Sequence, residues 1–311
     1  MRVVFMGTPE FAVMPLEYLV SGGFEVVAVY TQPDKMAGRG QSTVSSPVKG
    51  VALNLGLPVI QPANFRTGKA VEQLASFKLD VVVVAAFGQI LPQSVLDSPK
   101  YGCINIHGSL LPKFRGPSPV AAAILVGSEY TGVSIMLMDR GMDTGPVLAR
   151  VQISVSPLDT TGSLTKKLSR IGAQFLLDVL PRWLKGGITP QPQNNAEATY
   201  STMISKKDGE IDWHLPAVDL WRRVRAFQPW PGCYTYWQGR QLKVLDAVPV
   251  AREETVGVGQ VLALGKGLFG VQTGDGILGV CKVQLEGKRA MSAAEFLRGQ
   301  RQFIGAILPV S

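Results

Sequence analysis

A chain of 311 residues, 46% hydrophobic and 17% charged, has enough apolar surface to offset ordering entropy, so disorder is excluded and two domains are expected. No run approaches the ~20 apolar residues of a membrane span, and a net charge of +8 spread over both halves favours a polyanionic partner that touches both. Pro9 interrupts the opening strand-like run at 2–6, which does not fit a signal peptide, so the cytoplasm is the expected location.

In chain order, strand-like runs at 3–6, 25–30, 58–60, 80–86, 102–106 and 133–138 alternate with helix-compatible stretches. That rhythm predicts an α/β fold with a mostly parallel sheet covered on both faces. The continuous apolar run at 81–86 fits a central strand. A long helix is predicted over 163–184, with Thr160 or Thr161 as cap and Gly186 and Gly187 as its stop. Pro190, Pro192, Asn194 and Asn195 then break the periodicity. They predict a linker over 190–208 between a first domain at 1–189 and a second at 209–311. The second should hold a helix at 215–227, a turn at 229–232 and short strands with glycine turns from 234 to 285, which suggests a small barrel.

Cys103, Cys233 and Cys281 form an odd set without C-x-x-C spacing, and with two histidines in the chain a zinc site is hard to assemble. Reduced, buried thiols and no metal are expected. The first strand-to-helix turn, GTPEFA at 7–12, lacks the G-x-G-x-x-G of a dinucleotide site, and neither a Walker A loop nor an H-E-x-x-H helix occurs. The chemistry is expected where the 102–106 strand runs into HGSLLPKFRGP at 107–117, because ligands of parallel sheets bind at the carboxyl ends of strands. Asn105 and His107 lie two apart and share a strand face. An amide donor and an imidazole aimed at one point suit acyl transfer, in which an oxyanion develops and a proton moves. For an isolated histidine, a satisfied strand end is the commoner role; its position here shifts the balance.

The loop MDRGMDTG at 138–145 supplies two carboxylates, Asp139 and Asp143, either of which could orient His107 or cap an ordinary turn. The segment at 31–49 is long for a strand-to-helix connection and carries Lys35, Arg39 and Lys49, a set able to meet phosphates. Arg222, Arg223 and Arg225 lie near Phe227 and Trp230, and Lys288 and Arg289 form a second basic turn, a pattern that fits nucleic acid. Trp213, Trp221, Trp230 and Trp237 read as core, and His214 as structural.

HGSLLP at 107–112, preceded by Asn105 and followed by Arg115 and Gly116, resembles the 10-formyltetrahydrofolate-dependent formyltransferases. The resemblance spans nearly the whole chain: GTPEFA at 7–12, TQPD at 31–34, AGRG at 37–40, SPVK at 46–49, AFGQILP at 86–92 and 138–145 follow in the family's order. FQPWPG at 227–232 and GKRAMS at 287–292 resemble blocks of a second domain. It implies a Rossmann-like formyltransferase domain followed by an OB-like barrel, with catalytic roles on Asn105, His107 and Asp143. It implies folate contacts at Ser109, Leu110, Leu111 and Pro112, and a pterin pocket near Phe87, Gln89, Ile90, Leu91 and Asp139. The loop around Arg39 resembles the segment that closes over the acceptor end of tRNA, with Lys35, Lys49, Arg222, Lys288 and Arg289 as further tRNA contacts. The implied reaction moves a formyl group from 10-formyltetrahydrofolate, a co-substrate that leaves as tetrahydrofolate, to the α-amino group of methionine on initiator tRNA. No membrane partner is implied, and a monomer is expected. A hydrolase of the same folate, a formyltransferase for small acceptors and a non-catalytic tRNA-binding protein remain alternatives.

Overall fold

The computed structural model describes residues 1–37, 42–65, 68–251, 256–265 and 267–310. It divides into two compact units, one made of Met1–Pro119, Tyr130–Ser154 and Leu164–Thr202, the other of Val120–Glu129, Val155–Ser163 and Met203–Ser311.

The first unit opens with β1 (Arg2–Gly7), α1 (Val13–Ser21) and β2 (Glu25–Tyr30). Next come the short hairpin strands β3 (Lys35–Ala37) and β4 (Ser42–Val44), then α2 (Pro47–Asn54), β5 (Val59–Ile60) and α3 (Gly68–Ser76). After β6 (Val81–Ala85), α4 (Gln93–Leu96) and β7 (Cys103–His107), α5 (Pro119–Leu125) passes into the second unit. The chain returns through β8 (Tyr130–Leu137), β9 (Val147–Ser154) and α6 (Thr161–Leu184). The seven strands lie in the order β5-β2-β1-β6-β7-β8-β9. Pairing is parallel through β7, and antiparallel from β7 to β8 and from β8 to β9.

Burial on both faces explains the unbroken apolar runs. Val4, Met6, Ala28, Tyr30, Val82, Val84 and Cys103 form one face with Phe65, Leu74 and Leu96. On the opposite face α6 approaches the sheet through Gly172, whose position leaves only 3.1 Å to Ile106 and 3.3 Å to Val133 for an added methyl. Leu164, Leu168, Leu176 and Leu180 continue that stripe at a spacing of four and are buried. The start of α6 is a reciprocal cap: Ser163 N donates to Thr160 Oγ1 (3.2 Å) and Thr160 N donates to Ser163 Oγ (3.0 Å). Its end is closed by Gly186 in a left-handed conformation (φ +72°).

Two features depart from the sequence reading. Strand β9 was not anticipated; it lies at the sheet edge, with only Val147 and Leu148 buried and half-buried and exposed positions alternating over the rest. Residues 190–202, expected as part of a linker, instead strap the first unit. Gln191 and Val147 exchange two backbone hydrogen bonds of 2.8 Å, Arg115 N donates to Thr199 O (2.9 Å), and Ser201 N donates to Arg115 O (2.7 Å). These contacts are made by the backbone, so no apolar periodicity records them.

The second unit contains α7 (Ala217–Ala226), β10 (Cys233–Trp237), β11 (Arg240–Val250), β12 (Val261–Gly265), β13 (Leu268–Gln272), β14 (Ile277–Leu285), β15 (Met291–Ser292) and α8 (Ala293–Gly299). The strands form an antiparallel sheet in the order β10-β11-β14-β13-β12, with β15 on β14. Among the described residues this is an open path, with no pairing between β10 and β12. Its core is aromatic: Trp237 meets Phe296 and Phe303 edge to face, as Phe303 meets Phe269 and Phe296, at centroid separations of 4.9–6.0 Å, and Phe269 and Phe296 are tilted at 6.2 Å. Trp213 is buried, whereas Trp230 is 57% exposed and Trp221 lies under the Arg225 guanidinium at 3.9 Å.

All three cysteines are free, and burial pushes the Cys103 and Cys233 thiols up to about 12, which keeps them protonated and unreactive. Among the described residues no helix is long and apolar enough to cross a membrane. Leu168→Ala, which hollows the α6 stripe, is expected to cost about 2–5 kcal/mol of stability, measured by denaturant unfolding.

Candidate active site

Strand β7 is buried along its whole length, and its register sets Asn105 opposite Val84 on one side and Met136 on the other, with His107 opposite Ser134. Alternation puts Asn105 and His107 on the same face as Cys103, at the carboxyl end of the strand. Ser134 holds the turn that follows, accepting from Leu111 N (3.0 Å) and donating to Ser109 O (2.7 Å).

His107 is 5% exposed. Its Nε2 lies 3.0 Å from the Phe114 carbonyl, and because a carbonyl only accepts, Nε2 carries the hydrogen. Nδ1 therefore faces Asp143 Oδ2 at 3.6 Å. The same carboxylate oxygen accepts from Gly116 N (2.8 Å), and Oδ1 accepts from Asn105 Nδ2 at 3.4 Å. Of the two carboxylates the sequence left open, Asp143 is the one beside His107. Asp139 Oδ1 accepts from Gly141 N (3.0 Å) and Thr144 Oγ1 (2.7 Å), which caps its own loop. Of the five described non-glycine residues with positive φ, three, Ala86, Phe114 and Asp143, lie on the segments around this site, where such conformations tend to cluster.

The segment at 86–92 is tied down by residues the sequence reading did not single out. Thr8 Oγ1 donates to Phe87 O (3.0 Å), and Gln32 Nε2 donates to Gly88 O (2.9 Å) and Phe87 O (3.2 Å). Of the expected folate contacts here, Phe87 and Leu91 turn their side chains into the core, as Leu111 does further on. Apolar side chains with a core face available are buried there, and these three residues are 2–5% exposed. Gln89 Nε2 donates to Pro62 O (3.0 Å), and Ile90 is 90% exposed. Leu110 and Pro112 are half-buried, and Ser109 Oγ donates to Lys113 O (2.6 Å).

The expected tRNA contacts divide by partner. Lys35 and Lys288 are exposed, and Arg39 lies outside the described residues. Lys49 is paired with Asp34 at 2.5 Å, and the hydrogen bonds from Lys49 and Gln61 hold the Asp34 carboxyl below its ordinary range. Arg222 is paired with Asp219 (3.1 Å), and Arg289 with Glu295. The sequence reading also missed the buried Arg115, which is 1% exposed, and its partners Gln193, Asn195 and Tyr200. Its place inside the 107–117 motif was the one available signal.

The sequence signature of the formyl transferases matches residues 1–180, and that of the formyl transferase C-terminal domain matches 203–301. The chain belongs to the formyl transferase family. It is similar to the methionyl-tRNA formyltransferase of Dehalococcoides mccartyi, at 48% identity over 100% of this chain and 99% of that one. It is also similar to that of Roseiflexus castenholzii, at 49% identity over 97% and 96%. Among solved structures, the fold is shared with WlaRD, a sugar 3N-formyl transferase (TM-score 0.67, 18% identity, 93% of this chain and 99% of that one). It is shared too with HypX from Aquifex aeolicus (TM-score 0.64, 19% identity, 98% of this chain and 48% of that one).

In this formyl transferase the aspartate loop is closed by Leu137 N donating to Pro146 O (2.9 Å). A methyl group on Gly145 would fall 1.9 Å from Leu137 O. Gly145→Ala is therefore expected to lower Tm by several degrees and to displace Asp143 from His107, observed in the variant's crystal structure.

Proposed function

We propose that this formyl transferase moves the formyl group of 10-formyltetrahydrofolate to the α-amino group of methionine on initiator tRNA, working as a cytoplasmic monomer. The observation that carries the reading is the convergence of Asn105, His107 and Asp143 at the carboxyl end of β7, in a chain similar over its full length to methionyl-tRNA formyltransferases.

The amine attacks the formyl carbon, the carbonyl electrons move onto oxygen, the attacking nitrogen gives up a proton, and collapse of the tetrahedral species breaks the bond to folate N10, which takes up a proton as tetrahydrofolate leaves. Asn105 uses one amide hydrogen toward Asp143 and has a second for the oxyanion. His107 contributes its Nδ1 edge, which faces the Asp143 carboxylate. The 3.6 Å separation from Asp143 is the kind of contact that tightens when substrate binds. Fixed donors around a mostly buried site act without reorganising as charge develops. For the folate, the reading uses the backbone of 86–92, the exposed Ile90, Gln89, the turn at 109–112 and the loop carrying Asp139.

The test is label transfer from 10-formyltetrahydrofolate to methionyl-initiator tRNA, with a control lacking tRNA. Asn105→Ala and His107→Ala are each expected to lower kcat about 10²–10³-fold. Tetrahydrofolate release without tRNA would indicate a hydrolase instead, and label on a small amine but not on tRNA would indicate a different acceptor.

For the tRNA surface the reading uses the exposed Lys35 and Lys288, together with Arg39. Lys288→Ala is expected to weaken tRNA binding and to reduce the slope of log affinity against log salt by about 1, with folate affinity unchanged.

A further inference from the structure

The reaction scheme leaves unused a buried guanidinium and the glutamine it grips. We propose that Gln193, held by Arg115, is a positioning residue that sets the Asp143 carboxylate against His107, an inference that rests on the catalytic reading above.

Asp143 sits in a left-handed backbone conformation (φ +54°) that an L-residue keeps only when its surroundings determine it. The Gln193 side chain supplies that determination. Its Nε2 donates to the Asp143 carbonyl (2.8 Å) and to the Gly145 carbonyl (2.7 Å), one hydrogen to each side of Thr144. Its Oε1 accepts a fork from Arg115, Nε at 3.1 Å and Nη2 at 2.9 Å. Every polar atom of the amide is used. The orientation of the amide is also dictated, because Arg115 only donates and the two carbonyls only accept.

Arg115 is held in turn. Its Nη2 donates to Asn195 Oδ1 (2.9 Å) and its Nη1 to Tyr200 OH (3.3 Å), while its backbone exchanges hydrogen bonds with Thr199 and Ser201. A guanidinium on the amide oxygen polarises the amide and strengthens its donation on the other side. The strap governs the second partner of His107 as well, since Phe114 N donates to Thr199 Oγ1 (2.9 Å) and the Phe114 carbonyl accepts from His107. Through Gln193 and Thr199 the strap fixes the groups that face both imidazole nitrogens.

The discriminating variant is Gln193→Glu. It keeps an acceptor for the Arg115 fork but presents oxygen where the Asp143 and Gly145 carbonyls need donors. Two readouts are taken: steady-state formyl transfer with each substrate varied, and ¹⁵N signals of the imidazoles. The chain has only His107 and His214, and the exposed His214, paired with Asp212 (3.1 Å), serves as the internal reference. Expected are a fall in kcat of about tenfold to a hundredfold, KM for both substrates within twofold of wild type, and displaced His107 signals with unmoved His214 signals. Wild-type kcat with unmoved His107 signals would overturn the proposal. So would a raised KM with kcat retained, or a lowered Tm with His107 unmoved in the folded protein. If Gln193→Glu does not fold, Gln193→Ala is read by the same criteria. The imidazole signals need no substrate, so they test the positioning even if the wild type transfers no formyl group, a result that would instead refute the catalytic reading.

Discussion

A histidine in a buried strand end has two ring nitrogens to satisfy, and the geometry around His107 follows from that constraint. One nitrogen donates to the Phe114 carbonyl and the other faces the Asp143 carboxylate. Neither partner belongs to β7. Phe114 comes from the loop beyond the strand, and Asp143 from the loop that joins two antiparallel strands on its far side. Both sit in left-handed conformations, so each has to be held in place by something else. Residues 191–201 do this by reaching back across the loops and bonding to Val147, Arg115, Phe114 and the carbonyls of Asp143 and Gly145.

A similar economy operates at the loop that follows β6. Thr8, on the first strand-to-helix turn, and Gln32, just after β2, both bond to the segment following β6. Three carboxyl-end connections are thereby locked to one another near the point where strand order reverses between β1 and β6. The motif GTPEFA, which lacks the glycines of a dinucleotide site, acts here through its threonine as a support for the neighbouring loop rather than as a phosphate cradle. The inward turn of Phe87 and Leu91 completes that support, since their burial anchors a segment whose exposed positions are Ala86, Gly88 and Ile90.

Charge is used in two ways across the molecule. Some basic residues of the sequence are consumed locally: Lys49 by Asp34, Arg222 by Asp219 and Arg289 by Glu295. Others, including Lys35 and Lys288, face solvent. A paired cation contributes less to the field around a protein than an exposed one, so the net charge of +8 overstates the number of side chains ready to meet phosphates.

The sequence by itself determined the alternation of strands and helices, the two-part organisation, and the shared face of Asn105 and His107. These depend on period-two and period-3.6 patterns and on local punctuation by glycine and proline, all of which are written along the chain. It also carried the family, through short blocks in a fixed order. Those blocks also implied Asp143, but only the tertiary structure put it rather than Asp139 beside His107, turned Phe87, Leu91 and Leu111 inward, and converted the segment at 190–202 from an apparent linker into a strap on the loops around His107. The placement of Asp143 and of the strap rests on single hydrogen bonds between residues far apart in the chain, 27 positions for Gly116 and Asp143 and 86 for Arg115 and Ser201, while the inward turn of the apolar side chains rests on a core face that exists only once the sheet has formed. Hydrogen bonding of that kind has no periodicity and favours no residue type strongly enough to be read from a sequence.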